Sequence, residues 1–407
     1  MTEHRMPLEG IRIADFAWVQ AGPWVGRFFA NYGAEVIRIE SAKRLDWSRN
    51  VPGGPEIING KIQKGSYFVN FNCDKLGITL NLSQPKGIEI AKKIIALSDV
   101  VTNNFTAGYM DRIGLGYKEL VKIKPDIIML EMPVFGNTGP RRTFAGYGTG
   151  IQSAIGLNSI SGMPNRRPGL NIALPDMGPN PTHATVAVLA ALHYRKKTGK
   201  GQHIELAQFE SSLGWMEATI LDYTVNGRIR KPQGNRVPYA APHGVYKCAG
   251  EDRWCAICVF TDSEWKVLCH VIGDSTLIAN EKFSTLQKRK ENEDELDRLI
   301  ESWTINKSPW EVMNILQQAG VAAGVVETGE DLVMKDEQYK AHQYYVELPY
   351  GGGKAYCENT IFRFSETPCK VRNAAPEMGQ HNDYVYRELL GMSEEEVVQC
   401  YVDEVFD

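Results

Sequence analysis

The sequence predicts an α/β protein in which an open, Rossmann-like parallel sheet forms a large domain beside a smaller α+β domain. Three observations predict it. Strand-like and helix-like segments alternate through the first third, the character of the chain changes near residue 235, and 407 residues are too many for one core of ordinary size. Strands separated by helices imply right-handed parallel crossovers and a sheet covered on both faces. Ligands of such sheets lie at the carboxyl ends of the strands.

Each element follows from its residues. GIRIADFAWV (10–19) reads as a strand, GPWVGRFFANYGA (22–34) as a helix ending at Gly33, and EVIRIE (35–40) as a strand. An irregular, Gly-rich stretch runs to about Gly65. GITLNL (77–82) is a strand, and PKGIEIAKKIIALS (85–98) a helix with proline in its first turn and apolar residues at helical spacing. DVVTNNF (99–105) and DIIMLEM (126–132) are strands that flank a short helix at 117–123. The turn ALPDMGP (173–179) leads into an apolar, Ala-rich helix that looks buried. Thr182 is expected to cap it, Arg195, Lys196 and Lys197 to complement its negative end, and Gly199 to stop it. HIELAQF (203–209) is a further strand.

Residues 1–225 are thus assigned to the large domain, 235–329 to the small one, and 330–407 to a return that completes the large one. The small domain has a strand in RWCAICVF, one charged helix in KRKENEDELDRLIESW and another in SPWEVMNILQQAGV; SEEEVVQCYVDEV is a terminal helix.

Composition narrows the function. Hydrophobic residues make up 43% and charged residues 23%, the balance of a soluble globular protein. A net charge of -4 leaves no basic surplus for phosphates, so nucleic acid is not an expected partner. The N-terminal residues lack the pattern of a signal peptide, and no segment offers about 18 uninterrupted apolar residues for a membrane span. Eight scattered cysteines suggest reduced thiols in a cytoplasm.

Several short motifs fail on their own terms. GYGTGIQS (146–153) has Ser153 where a dinucleotide fingerprint needs its third glycine, and no strand leads into it. GGGK (351–354) lacks the rest of a phosphate loop and reads as a hairpin turn. Cys255 and Cys258 lie in a strand pattern, where positions three apart face opposite ways, and the histidines form no ligand spacing, so no metal is expected. Asp176 admits two readings. Asp in a Pro-rich turn before a helix serves as a cap or Asx-turn, but at the positive end of a helix it is also held ionised and aimed, as a nucleophile must be. Turn chemistry alone leaves both open.

WVQAGP (18–23), GAEVIRIE (33–40), FNCDKLGITLNL (71–82), NNF (103–105), DRIG (111–114) and HYRKKTGKGQHIELA (193–207) occur in this order. Together they closely resemble the class III CoA-transferases, which include formyl-CoA and carnitine CoA-transferases. The resemblance covers nearly the whole chain. It implies that family's fold with an interlocked dimer, a coenzyme A thioester as substrate with no tightly bound cofactor, and Asp176 as nucleophile, which tips the choice between its two readings. It implies further that Val19, Gln20 and Ala21 lie against CoA and the aspartate, and that Gln20 donates its amide to a thioester or anhydride oxygen. The bland alternative for Gln20 is a polar helix-start residue. Asn104, Phe105 and Arg112 match a loop that contacts the CoA nucleotide, and Leu80 matches a residue beside the adenine; the bland alternative for Arg112 is a solvated arginine on a helix face.

The chain also departs from the pattern. Ser41 stands where relatives often have an arginine that stacks on adenine, with Lys43 and Arg44 slightly later. VPYAAPHGVYKC (237–248) replaces the glycine-rich loop of formyl-CoA transferase, so formate and oxalate are not expected substrates. Phe16, Trp18, Trp24 and Phe28 read first as core residues, but with Arg166 and Arg167 they would also suit a pocket for an acid carrying a ring and a second carboxylate. The resemblance accordingly leans to benzylsuccinate-type enzymes of anaerobic aromatic degradation, with succinyl-CoA as donor. Two alternatives stand: an acyl-CoA racemase, whose second acid/base histidine is here Tyr147, and a structural subunit of a heteromeric transferase. The partner chain could be an identical copy or a paralogue.

Overall fold

The computed structural model describes residues 5–50, 56–58, 61–63, 66–169 and 172–407. Much of the Gly-rich stretch before Gly65 lies outside them. The chain divides into two compact units, one of Met1–Leu157, Asn171–Ile229 and Tyr339–Asp407, the other of Asn158–Leu170 and Arg230–Gln338.

The first unit is built on β1 (Arg12–Asp15), β2 (Glu35–Glu40), β3 (Leu76–Thr79), β4 (Val100–Asn103), β5 (Ile128–Glu131) and β6 (His203–Glu205). All neighbours are parallel, in the order β3-β2-β1-β4-β5-β6. Every residue of β4 and β5 is buried, so neither strand shows a polar alternation: each starts apolar, and the polar Thr102, Asn103 and Glu131 come at the carboxyl ends. The order reverses between β1 and β4, so the crevice beyond their carboxyl ends is the expected ligand site.

Helices α1 (Ala21–Asn31), α2 (Pro85–Ala96), α3 (Tyr109–Arg112) and α4 (Tyr117–Ile123) follow the first strands. β1 ends at Asp15, short of the sequence expectation, because residues 17–19 turn away from the sheet and side chains take over their backbone groups. After β5 come α5 (Gly148–Ala154), the single turn α6 (Leu174–Met177) and α7 (Pro179–Thr198).

Helix α7 corrects two expectations. Thr182 is not its cap: the helix begins at Pro179, and the Thr182 hydroxyl donates back to the Gly178 carbonyl at 2.8 Å. Nor is it buried all round. Ala184, Val188 and Ala191 pack inward, while Val186, Leu189 and Tyr194 are exposed. Its end is as expected, with Arg195, Lys196 and Lys197 in the last turn and Gly199 left-handed at φ 72°.

The last residues return to this unit. Strands β7 (His243–Lys247), β8 (Trp254–Cys258) and β9 (Ala322–Val326) belong to the second unit, whereas β10 (Tyr345–Tyr350) and β11 (Gly353–Glu358) form a hairpin on the first. Its turn is the GGGK stretch, with Gly351 and Gly352 both at positive φ as a tight hairpin turn requires. Edge strand β3 is covered by the return: Gly77 N–H donates to His381 Nδ1 at 3.0 Å and Thr79 N–H to Asn382 Oδ1 at 2.9 Å.

In the second unit β7, β8 and β9 make an antiparallel sheet with β8 central. Residues 158–170, assigned from sequence to the large domain, group here because Gly234 N–H donates to the Gly162 carbonyl at 2.9 Å. Residues 330–338 do so because buried Asp331 pairs with Arg253 at 2.6 Å. The single charged helix expected at 288–303 is two, Leu286–Glu291 and Glu293–Thr304. Asn292 breaks it, its amide turned back to the Lys282 and Lys288 carbonyls.

Candidate active site

Beyond β1 and β4 lies a cavity of about 860 Å³, formed wholly within the first unit. The turn from β1 into α1 contributes Val19, Gln20 and Ala21; the segments after β3 and β4 contribute Leu80, Asn104 and Phe105; Tyr147 and Asp176 complete the wall. The resemblance-derived residues thus meet in one place, with one exception. Arg112 does not line the cavity. It is exposed, donates to the Ala107 carbonyl at 3.4 Å and lies over the Tyr109 ring.

Asp176 sits in α6 and is 5% exposed. It does not cap α7. Its Oδ2 accepts the backbone N–H of Gly148, the first residue of α5, at 3.0 Å. A Cβ on Gly148 would lie 2.4 Å from that oxygen, so only glycine permits the approach. The carboxyl is not held ionised as the turn suggested: burial pushes it up to about 7, and the single N–H offsets only part of this. A second carboxylate, Glu40, lines the cavity, but Arg49 grips both its oxygens at 2.9 and 2.5 Å.

Gln20 is buried at the start of α1, and its side chain makes no capping bond. Its amide has no hydrogen-bond partner among the described residues, so it is available to a substrate oxygen. Asn104 is committed otherwise: its Oδ1 accepts Trp18 N–H and its Nδ2 donates to the Trp18 carbonyl, both at 2.8 Å. Phe105 packs edge-on against Trp18 and also against Tyr109, and Leu80 is almost fully buried.

At the rim, the Ser41 hydroxyl donates to Asp407 Oδ2 at 2.6 Å. Lys43 pairs with Glu404, and the Arg44 guanidinium lies 5.4 Å from the Trp18 ring. The aromatic set is divided. Phe16 and Trp18 line the cavity, while Trp24 packs on Phe28, Phe71 and Arg27 away from it. Arg166 and Arg167 are exposed and belong to the second unit. The sequence did not single out Asp46 or Gly148; the approach of a glycine to a distant carboxylate leaves no mark in spacing.

An electrophile admitted to this cavity meets one carboxylate with no cationic partner among the described residues and one uncommitted amide. That arrangement suits acyl transfer from a thioester. A model for CoA-transferase family III matches residues 8–382. Over 405 residues, 98% of each chain, the protein is 31% identical to the succinyl-CoA–D-citramalate CoA-transferase of Chloroflexus aurantiacus. It is 28% identical to the succinate–glutarate CoA-transferase of Agrobacterium fabrum, over 96% of this chain and 97% of that one. The crystal structure of a CAIB/BAIF family protein from Brucella suis superposes with a TM-score of 0.87 at 30% identity, covering 95% of this chain and all of that one. The chain belongs to CoA-transferase family III and is a class III CoA-transferase. Its substrates are therefore CoA thioesters. Among the described residues no helix is long and apolar enough to cross a membrane.

Proposed function

We propose that the enzyme moves CoA from succinyl-CoA to a dicarboxylic acid through an aspartyl-CoA thioester on Asp176. One observation carries the choice of residue: of the two carboxylates in the cavity, Glu40 is gripped by Arg49, whereas Asp176 has one backbone donor and no cation among the described residues. A carboxylate oxygen of Asp176 attacks the thioester carbonyl and the C–S bond breaks, giving a mixed anhydride and CoA thiolate. The thiolate attacks the aspartyl carbonyl, the anhydride C–O bond breaks, and succinate leaves. The acceptor carboxylate then attacks the aspartyl thioester, and the released thiolate takes the acceptor acyl group, freeing Asp176. The Gln20 amide donates to the oxyanion of each addition. Leu80, Phe105 and the Arg44–Trp18 pair flank the nucleotide end, where Arg44 takes over from the arginine replaced by Ser41. Arg112, outside the cavity, is left with a supporting role on Tyr109.

The relatives named above act with succinyl-CoA on D-citramalate and with succinate on glutarate, which supports a succinyl donor and an aliphatic dicarboxylate as acceptor. Benzylsuccinate belongs in the same acceptor panel. The turning of Trp24 away from the cavity removes part of the aromatic lining on which it rested. A cytoplasmic setting follows from the same substrates. The relatives also include alpha and beta subunits of a succinyl-CoA–L-malate CoA-transferase from Chloroflexus aurantiacus. This chain lines the cavity with its own Asp176 and Gln20, which supports an active subunit.

The test is to incubate the enzyme with succinyl-CoA, trap with hydroxylamine and locate the hydroxamate by mass spectrometry. Label on Asp176 is expected, with Asp176→Ala unlabelled and CoA exchange lowered by at least about 1,000-fold. Label elsewhere overturns the assignment. Exchange of the α-proton of a 2-methylacyl-CoA without any CoA transfer would instead establish the racemase.

A further inference from the structure

Val19 has φ 68°, a left-handed conformation rare for a β-branched residue. A turn with only a structural task would place glycine or asparagine there. Side chains from three separate segments hold it. Val19 N–H donates to both carboxylate oxygens of Asp46, at 3.2 and 3.1 Å. Asp46 in turn accepts Ser48 N–H at 2.8 Å and the Ser48 hydroxyl at 2.7 Å, and pairs with Arg38. The other guanidinium nitrogen of Arg38 donates to the Ala17 carbonyl at 2.7 Å. Asn104 holds both backbone groups of Trp18. Asp46, Ser48 and Arg38 are fully buried.

Four backbone groups in a row, Ala17 C=O, Trp18 N–H, Trp18 C=O and Val19 N–H, are therefore gripped by side chains. The next residue is Gln20, whose amide is uncommitted and which lines the cavity with Asp176. We propose that Asp46, braced by Arg38, is a positioning residue that keeps Val19 left-handed and so sets Gln20 against the acyl group at Asp176. The inference rests on Asp176 as the reacting carboxylate. Asp46 itself touches no substrate. Without its carboxylate Val19 relaxes to the extended region, and the peptide leading into α1 rotates, carrying Gln20 with it.

The test compares Asp46→Asn, which keeps the volume but not the charge, with Arg38→Met/Asp46→Leu, which removes the pair without orphaning a buried ion. Each is made with Val19 and with Val19→Gly, and all are confirmed folded by circular dichroism before assay. CoA exchange should fall about tenfold or more in kcat, while KM for succinyl-CoA changes less than about threefold. Val19→Gly should restore at least about a third of the lost rate, because glycine reaches the left-handed region unaided. Wild-type kcat in either folded variant overturns the proposal, as does a loss that Val19→Gly leaves unchanged. Should the double variant not fold, Asp46→Asn with and without Val19→Gly decides by the same two criteria. Asp176→Ala in the same assay keeps the two ideas apart: undiminished exchange there refutes the nucleophile and not the clamp.

Discussion

The Asp176 carboxyl is a compromise between reach and charge. Burial raises it to about 7, so near neutrality the ionised form, which the proposed mechanism needs, is only partly populated. Below that value kcat/KM for succinyl-CoA should fall tenfold per pH unit, and a flat profile from pH 5 to 8 would contradict it. The same burial acts on folding. An acid whose folded value lies above its unfolded 3.8 binds its proton more tightly in the native state. Stability is thus undisturbed below 3.8, declines as pH rises to about 7 and then levels. The full cost is about 4 kcal/mol, at 1.36 kcal/mol for each pH unit between the two values. Asp176→Asn should therefore gain on the wild type in chemical denaturation between about pH 4 and 7, with a constant margin above. A margin independent of pH would refute the burial argument. Gly148 supplies a sharper geometric check. Gly148→Ala places a methyl 2.4 Å from Asp176 Oδ2, so the carboxylate must swing away from its backbone donor. A drop in kcat of about 100-fold with KM little altered is expected.

At the scale of elements, β1, β3 and α1 are pinned by a buried ion pair between Asp15 and Lys75 at 2.8 Å, with Nζ also donating to the Pro23 carbonyl at 2.8 Å. Lys75→Met leaves the Asp15 carboxylate buried with the Thr102 hydroxyl and the Ala17 N–H as its donors. A loss of about 3–5 kcal/mol is expected in urea unfolding, much of it recovered in Asp15→Leu/Lys75→Met; no recovery would mean that packing, and not orphaned charge, dominates. None of this was legible in FNCDKLGITLNL, where Lys75 looks like an ordinary strand-flanking cation. What was legible had local causes. EVIRIE and the apolar starts of β4 and β5 announce strands, and the GGGK stretch announces its hairpin. The break at Asn292 was hidden by strong helix formers on both sides. The single-turn α6 was hidden because one turn has no periodicity to detect. The candidate site was legible through its order of motifs, which placed Gln20, Leu80, Asn104, Phe105 and Asp176 around one cavity. Trp24 misled because nearness to Gln20 in sequence does not fix which neighbours a ring meets: Phe71, distant along the chain, and Arg27, one turn further along α1, claim it.

At the scale of the whole molecule, apolar surface remains that a lone chain leaves in water. Along α7 Val186 is 60% exposed beside Leu189, and further on Val225 and Ile229 are 75% and 76% exposed. Scattered apolar residues are ordinary on a surface, but a recurrence of them along α7 and again around the end of the helix Glu217–Asn226, in one unit, marks a surface built to be covered. The interlocked pair implied by the resemblance would cover it with a second chain, and an identical copy, which carries its own Asp176, is the expected partner. Light scattering of the protein expressed alone should then give twice the chain mass of 45.5 kDa, with full exchange activity. Val186→Asp together with Val225→Asp introduces like charges into that contact, and should shift the particle toward 45.5 kDa and lower activity in proportion to the monomer formed. A wild-type particle of single-chain mass that still exchanges CoA would show that these residues have no such partner. Activity that appears only on adding a paralogous chain would show that the pair is mixed.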